Sequence, residues 1–377
     1  MRGMARRCKA LVPGGMLGAL FYAVLFTVPV LAVEKGKAPV PAGTLALMEQ
    51  RNMELSAPIL IRSFKKESVL EVWKQTREGR FALLKSFPIC RWSGQLGPKR
   101  RQGDRQSPEG FYSITPRQMN PYSAYHLSFD TGYPNAYDRA HGASGSALMV
   151  HGICSSAGCY AMTNRQISEI FALARDALAA GQGAFQMQAF PFRMSAENMA
   201  KHRADPNIDF WRQLKEGHDH FEATAQEPRV TLAGDRYGFH GRTPELDQIA
   251  RDHHAQEEAR VAMLTKSGAA AIRTTYVDGG QHAIFMAMAK GDPELGDVSR
   301  PEALGYAGRE VILTPARVVP KPAMAKAAVV NLAAAVPEAP APAPQPLSAL
   351  SLMSGAVPIL DDRLAKRPWI RLAQFGG

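Results

Sequence analysis

Apolar and polar positions alternate in short bursts through the first half of the chain, and turn signals close each burst. PILIRSF (Pro58–Phe64), SVLEVWK (Ser68–Lys74) and RFALLKSFPIC (Arg80–Cys90) are dense in Ile, Val, Leu and Phe, and Glu78-Gly79 marks a tight connection. Side chains two apart in a strand share a face, so these runs predict strands joined in hairpins. GFYSI (Gly110–Ile114), AYHLSFD (Ala124–Asp130) and SALMVHG (Ser146–Gly152) predict further strands, separated by loops rich in Gly, Pro and Asn.

The period changes after Thr163. Thr163 and Gln166 form a T-x-x-Q capping pattern, and Ile167, Ile170, Phe171, Ala174 and Leu178 follow at helical spacing up to a stop at Gly181. AFQMQAF (Ala184–Phe190) predicts another strand. A second capped helix starts at Ser195, and NIDFWRQLKEGHDHFEATAQ reads as mainly helical. From Arg229 to about Ala316 strand and helix spacing mix. Val318–Pro346, with PEAPAPAPQP, reads as an extended linker before a tail carrying Trp369. This order predicts a β-rich α+β fold with flanking helices. The expected organisation is a flexible start at 33–57, a main domain at 58–222, an accessory region at 223–317, and a linker and tail at 318–377.

Composition adds an address. The 377 residues are 46% hydrophobic and 21% charged, which is globular rather than disordered. MRGMARRCK carries Arg2, Arg6, Arg7 and Lys9 without an acid, and an apolar run ends at Val30-Leu31-Ala32. A basic head, an apolar middle and small residues at the end predict an export signal over residues 1–32, with a membrane anchor as the alternative. Its removal lowers the charge from +11 to +7, which favours anionic partners such as a wall polymer or a membrane surface. No pattern of a nucleic-acid reader stands out, and export argues against one. Beyond Cys8 the chain has Cys90, Cys154 and Cys159. An odd count in an oxidising compartment leaves a thiol free or pairs it with another chain. A Cys90–Cys154 bridge leaving Cys159 free and a switch bridge between Cys154 and Cys159 are both open.

The chemistry concentrates in LMVHGICSSAGCYAMTN (Leu148–Asn164). Cys159 follows Ser155, Ser156, Ala157 and Gly158 and stands ahead of the Thr163 cap. Free backbone N–H groups there would favour the thiolate, and Gly158 would let a substrate carbonyl approach amides that hold an oxyanion. His151 ends an apolar strand, and a strand-loop-helix return could bring its ring to the thiol as a base. A buried thiol beside a strand-end histidine explains the same spacing without chemistry. Cys154 is the rival nucleophile.

Larger pieces then align in order. GPKRRQGDRQSPEGFYSI (Gly97–Ile114), FDTGYPNAYDRAHG (Phe129–Gly142), MVHG (Met149–Gly152) and SAGCYAMT (Ser156–Thr163) resemble the YkuD-type L,D-transpeptidase catalytic family, in particular its YafK-like subset, over about Pro58 to Glu222. The resemblance implies a β-sandwich or barrel, a cysteine nucleophile and a histidine base, with no metal and no organic cofactor. It implies a thioester formed with peptidoglycan stem peptides and passed to an amine or to water, as in hydrolysis of the link between peptidoglycan and an outer-membrane lipoprotein. Cys159 resembles the nucleophile and His151 the base. Gly158, Gly152, Ser156 and Tyr160 resemble the supporting residues around them. A backbone carbonyl orients the family's histidine, and the sequence does not place that oxygen. Ala157 and Ala161 stand where most of the family has histidine and arginine. That departure keeps a non-catalytic wall-binding protein with a degenerate domain as the alternative.

Other polar clusters are weaker. Arg139 and His141, in DRAHG, could bind substrate carboxylates or stabilise their loop. Lys99, Arg100 and Arg101 predict a solvated loop face. His218-Asp219-His220 and Asp252-His253-His254 lack the helical spacing of a zinc pair. DGGQHAIF (Asp278–Phe285) predicts a tight turn before a strand.

Overall fold

The computed structural model describes residues 34–288 and 308–316. The expected leader over 1–32 and the Ala/Pro-rich linker and tail lie outside the described residues. The fold is α+β, built on mixed sheets. The first holds β1 (Ile59–Phe64), β2 (Val69–Gln75), β3 (Phe81–Pro88), β5 (Gly110–Ile114) and β10 (Phe185–Phe190), in the order β3-β2-β1-β10-β5. The second holds β4 (Arg91–Trp92), β6 (Met119–Asn120), β7 (Ser128–Asp130), β8 (Met149–His151) and β9 (Tyr160–Ala161), in the order β4-β9-β8-β7-β6.

Helix α1 covers Ala42–Gln50, α2 Ala136–Ala140 and α3 Asn164–Ala179. The predicted capping box is present at α3: the Gln166 N–H donates to Thr163 Oγ1 at 3.2 Å and Gln166 Oε1 accepts from the Thr163 N–H at 3.0 Å. Ile167, Ile170, Phe171, Ala174 and Leu178 are buried as their spacing predicts. Each large one contributes roughly 1.5–3 kcal/mol by leaving water. The helix packs on β1, β7 and β8, so it touches both sheets. Phe129 of β7 meets Phe185 of β10 edge-on at 5.5 Å.

Several expectations are corrected. Residues 34–57, expected as a flexible start, hold α1, and Val40, Met48 and Met53 are buried in the main core. Strands β7 and β8 are shorter than their apolar runs; Ala147 has φ +55°, which breaks the extended backbone before β8. Beyond α4 (Ala196–Lys201) and α5 (Ile208–Thr224), the accessory stretch forms the β11–β12 hairpin (Arg229–Ala233 and Arg236–His240), α6 (Pro244–Lys266), β13 (Ala271–Thr275), α7 (Ala283–Met288) and β14 (Arg309–Thr314). Tyr237 and Tyr276 from this stretch belong to the same hydrophobic cluster as Ile59 and Phe190. DGGQHAIF turns into α7 rather than a strand. A Cβ on Gly279, at φ +77°, would collide with the Trp92 carbonyl, so the turn needs glycine there.

Candidate active site

The parallel pairing of β8 and β9 sets the site. Val150 faces Tyr160 and His151 faces Ala161. Val150 and Tyr160 point into the core and are fully buried. Alternation then places His151, Ala161 and Cys159, two before Ala161, on the other face. The Met149 N–H donates to Cys159 Sγ at 3.4 Å. Behind Cys159 the backbone is fixed: its carbonyl accepts from Ser156 Oγ at 2.7 Å and Ser107 Oγ at 3.0 Å. Ser156 is buried and its hydroxyl also meets Ser93 Oγ at 2.9 Å. The buried Lys65–Glu109 ion pair, 2.8 Å, and Trp211 Nε1, 2.9 Å from Glu109 Oε2, hold the segment that carries Ser107. Gly158 adopts φ +139°, a conformation side chains resist.

His151 is buried, and its ring lies 4.6 Å from that of Tyr125. Its Nδ1 donates to the Gly152 carbonyl. A carbonyl only accepts, so the neutral ring carries its proton on Nδ1 and presents Nε2 as a base. This is the orienting oxygen the sequence left unplaced. The Gly152 N–H donates to Tyr125 O at 3.0 Å. A Cβ on Gly152 would meet Asn164 Oδ1 at 2.7 Å and Tyr125 O at 2.9 Å, so no side chain fits.

Burial pushes the Cys159 thiol up to about 11; the Met149 N–H and Lys99 pull the other way, while Asp130 adds to the rise. Burial also holds His151 below the ordinary histidine range, against the Gly152 hydrogen bond. The resting pair is therefore neutral thiol and neutral imidazole. The expected thiolate, favoured by a helix start, is not what the surroundings produce. Strand β9 stands between Cys159 and the first residue of α3, and burial outweighs the nearby amide.

Cys90 and Cys154 form a disulfide with Cα atoms 5.4 Å apart, and Cys159 is the free thiol. Cys154 is thus excluded as nucleophile and pins the loop between His151 and Cys159. Phe285 packs on the bridge. Arg105 Nη2 donates to Asp278 Oδ2 at 2.7 Å and to the Ser156 carbonyl at 3.3 Å, tying the accessory stretch to the loop before Cys159. Arg91, fully buried in β4, is the register partner of Ala161 and approaches Asp278. Its guanidinium also donates to the Asp278 carbonyl.

The remaining candidates lie elsewhere. Tyr160 is buried with its hydroxyl on Pro108 O at 2.6 Å, so it anchors the core and is not placed to touch a substrate. Arg139 is exposed, donates to the Pro134 carbonyl and lines a cleft that includes neither Cys159 nor His151. His141 stacks on Tyr137 at 4.0 Å and donates from Nδ1 to its carbonyl at 2.9 Å. Lys99 is buried on Asp104 at 2.5 Å instead of solvated, whereas Arg100 and Arg101 are exposed. Asp219 joins Lys215, His218 and His254, and no group among the described residues is arranged to hold a metal ion. Arg105 and Ser107 lie inside GPKRRQGDRQSPEGFYSI and Asp278 opens DGGQHAIF, but nothing local in either stretch marks them as partners of the Cys159 loop.

The L,D-transpeptidase catalytic domain model of the YkuD family matches residues 65–180. The chain is 47% identical over 189 residues to the "Putative L,D-transpeptidase YafK" of Escherichia coli (strain K12), covering 50% of this chain and 76% of that protein. Among solved structures, a mutant of the helical cell shape determining protein Pgp2 from Campylobacter jejuni is similar at 17% identity, over 62% of this chain and 81% of that one, with a TM-score of 0.30. The identity and extent of the YafK match, with the family model over β2 to α3, show that the chain belongs to the YkuD-type L,D-transpeptidase family.

Proposed function

We propose that this protein is a cell-wall enzyme that transfers the acyl group of a peptidoglycan stem peptide through a thioester on Cys159. The observation that supports the reading is the parallel pairing of β8 with β9, which sets His151 beside Ala161, two residues after Cys159, with the histidine's Nδ1 held by the Gly152 carbonyl. In the first step His151 Nε2 takes the thiol proton as sulfur attacks the peptide carbonyl. A C–S bond forms, the C–N bond breaks, and the proton passes from His151 to the departing amine. Backbone amides around Cys159 hold the developing oxyanion. In the second step His151 deprotonates water or an acceptor amine, a C–O or C–N bond forms at the acyl carbon as the C–S bond breaks, and the proton passes from His151 to the departing sulfur.

The stem peptide of the wall is the substrate, and a lipoprotein joined to peptidoglycan is a further one when water is the acceptor. We also propose that residues 1–32 direct export to the periplasm. The Cys90–Cys154 disulfide supports an oxidising compartment, and no helix among the described residues is long and apolar enough to cross a membrane. Residues 58–222 would carry the chemistry and 223–317 would brace it. Purified protein incubated with free and lipoprotein-linked peptidoglycan tests the reading: released lipoprotein or trimmed stems indicate water as acceptor, and new cross-links indicate an amine. Unchanged peptidoglycan in both incubations would contradict it.

A further inference from the structure

A cleft of about 910 Å³ opens between α2, the outer edge of β5 and the β11–β12 hairpin. This volume is within the range of small-ligand sites. Neither Cys159 nor His151 lines it. Arg139, Arg229 and Arg242 do, and all are exposed. The carboxylate on the lining, Glu227, is pushed up to about 7 by burial against the pull of Arg242, so at neutral pH it is only partly ionised and the three guanidiniums leave the rim positive.

The floor is aromatic and preorganised. Tyr137 and Tyr237 stack at 4.3 Å with 7° between their planes, and Phe111 meets Tyr237 edge-on at 5.5 Å. Asn135 Nδ2 donates to the Tyr237 hydroxyl and to the Phe111 carbonyl, each at 2.9 Å. These rings are buried and packed against one another, with Tyr137 held between His141 and Tyr237, so they fix the shape of the cleft, while the exposed guanidiniums take carboxylates in two-point contacts. A nucleic acid would suit the same rim, but the buried disulfide argues for a compartment that lacks one.

We propose that this cleft is a second, non-catalytic binding site for an anionic glycopeptide, which holds one carboxylate-bearing segment of the wall polymer while Cys159 acts on another. The identity of the polymer rests on the function proposed above; the anion site does not. Arg139, an expected substrate contact, then serves recognition away from the nucleophile.

The probe is a disaccharide-dipeptide, which ends before the bond that Cys159 would attack and so binds without turnover; dependence on the three arginines assigns its binding to the cleft. Calorimetry with the full chain should show binding that weakens roughly tenfold or more in the Arg139→Ala/Arg229→Ala/Arg242→Ala protein. The carboxamide form of the probe should lose about as much with the unaltered protein. On intact wall the triple variant should raise KM, with kcat on a short soluble stem peptide within about twofold. Because all three side chains are exposed, matching thermal melting should exclude unfolding, and Arg229→Glu/Arg242→Glu should abolish probe binding. Equal affinity in the unaltered and triple-variant proteins, or no binding to the unaltered one, would overturn the proposal. Arginine-dependent binding without any turnover would uphold the cleft and contradict the enzyme reading alone.

Discussion

Arg105 and Asp278 meet at 2.7 Å, and the same guanidinium donates to the Ser156 carbonyl, three residues before Cys159. The accessory stretch thereby reaches the loop that presents Cys159. Asp278 is nearly buried and also faces Arg91. Asp278→Ala leaves two guanidiniums without that carboxylate, whereas Arg105→Ala leaves Asp278 with Arg91. Losing one member of a buried pair costs about 3–5 kcal/mol, so Asp278→Ala should lower stability more than Arg105→Ala in urea unfolding. Arg105→Ala should reduce kcat roughly tenfold with little change in KM, and Arg105→Lys should recover part of it. Equal stability loss in both variants would rule out Asp278 as the hub.

The Cys90–Cys154 bridge closes a loop across a sequence separation of 64. Chain-entropy arguments give such a loop on the order of 4 kcal/mol of stabilisation. The Cys90→Ala/Cys154→Ala protein should melt well below the unaltered one yet keep a reactive Cys159. Non-reducing peptide mapping should recover the Cys90–Cys154 pair. A Cys154–Cys159 peptide from untreated protein would restore the redox-switch alternative.

The proposed mechanism needs neutral His151 as its base. Burial lowers its pKa below the ordinary value of about 6.5, so activity should fall on acidification with an apparent pKa under that value. Alkali should not produce a second loss near the ordinary thiol range, because Cys159 ionises only near about 11. The profile of kcat/KM should stay level between about pH 7 and 9. Alkylation of Cys159 by iodoacetamide should keep rising with pH through that interval. A plateau of alkylation already at pH 6 would mean a thiolate–imidazolium resting state.

Gly152 holds His151 through its carbonyl and has no room for a Cβ. Gly152→Ala should shift that oxygen and lower kcat by about a hundredfold. The NMR signal of His151 should report the change, since the ring would lose its fixed Nδ1–H tautomer. Unchanged kcat would show that the carbonyl is dispensable.

Strands β1 to β3, strand β10 and the capped helix α3 were legible because apolar periodicity and caps are local. The first turn of α1 was not: Pro41 and Gly43 look like linker residues, yet Pro41 stands at the helix start and Val40, Met48 and Met53 supply the anchoring contacts. Cys159 and His151 could be found from spacing and motif. The Gly152 oxygen could not, because the direction of a backbone carbonyl follows from the turn that carries it. Arg105 and Asp278 lie 173 residues apart, and Arg229 and Arg242 reach the Arg139 cleft only through the hairpin's packing. Tyr160 was misplaced because its neighbour Cys159 faces the site, and alternation sends Tyr160 to the core.

An acyl-enzyme on Cys159 is the intermediate on which the proposed function depends. Unaltered protein mixed with a disaccharide-tetrapeptide, quenched in acid within its first turnovers and weighed intact, should gain the mass of the substrate minus its terminal residue. Peptide mapping should place that mass on Cys159, and His151→Ala should form it far more slowly. An adduct on another residue, or full turnover by Cys159→Ala protein, would contradict the account.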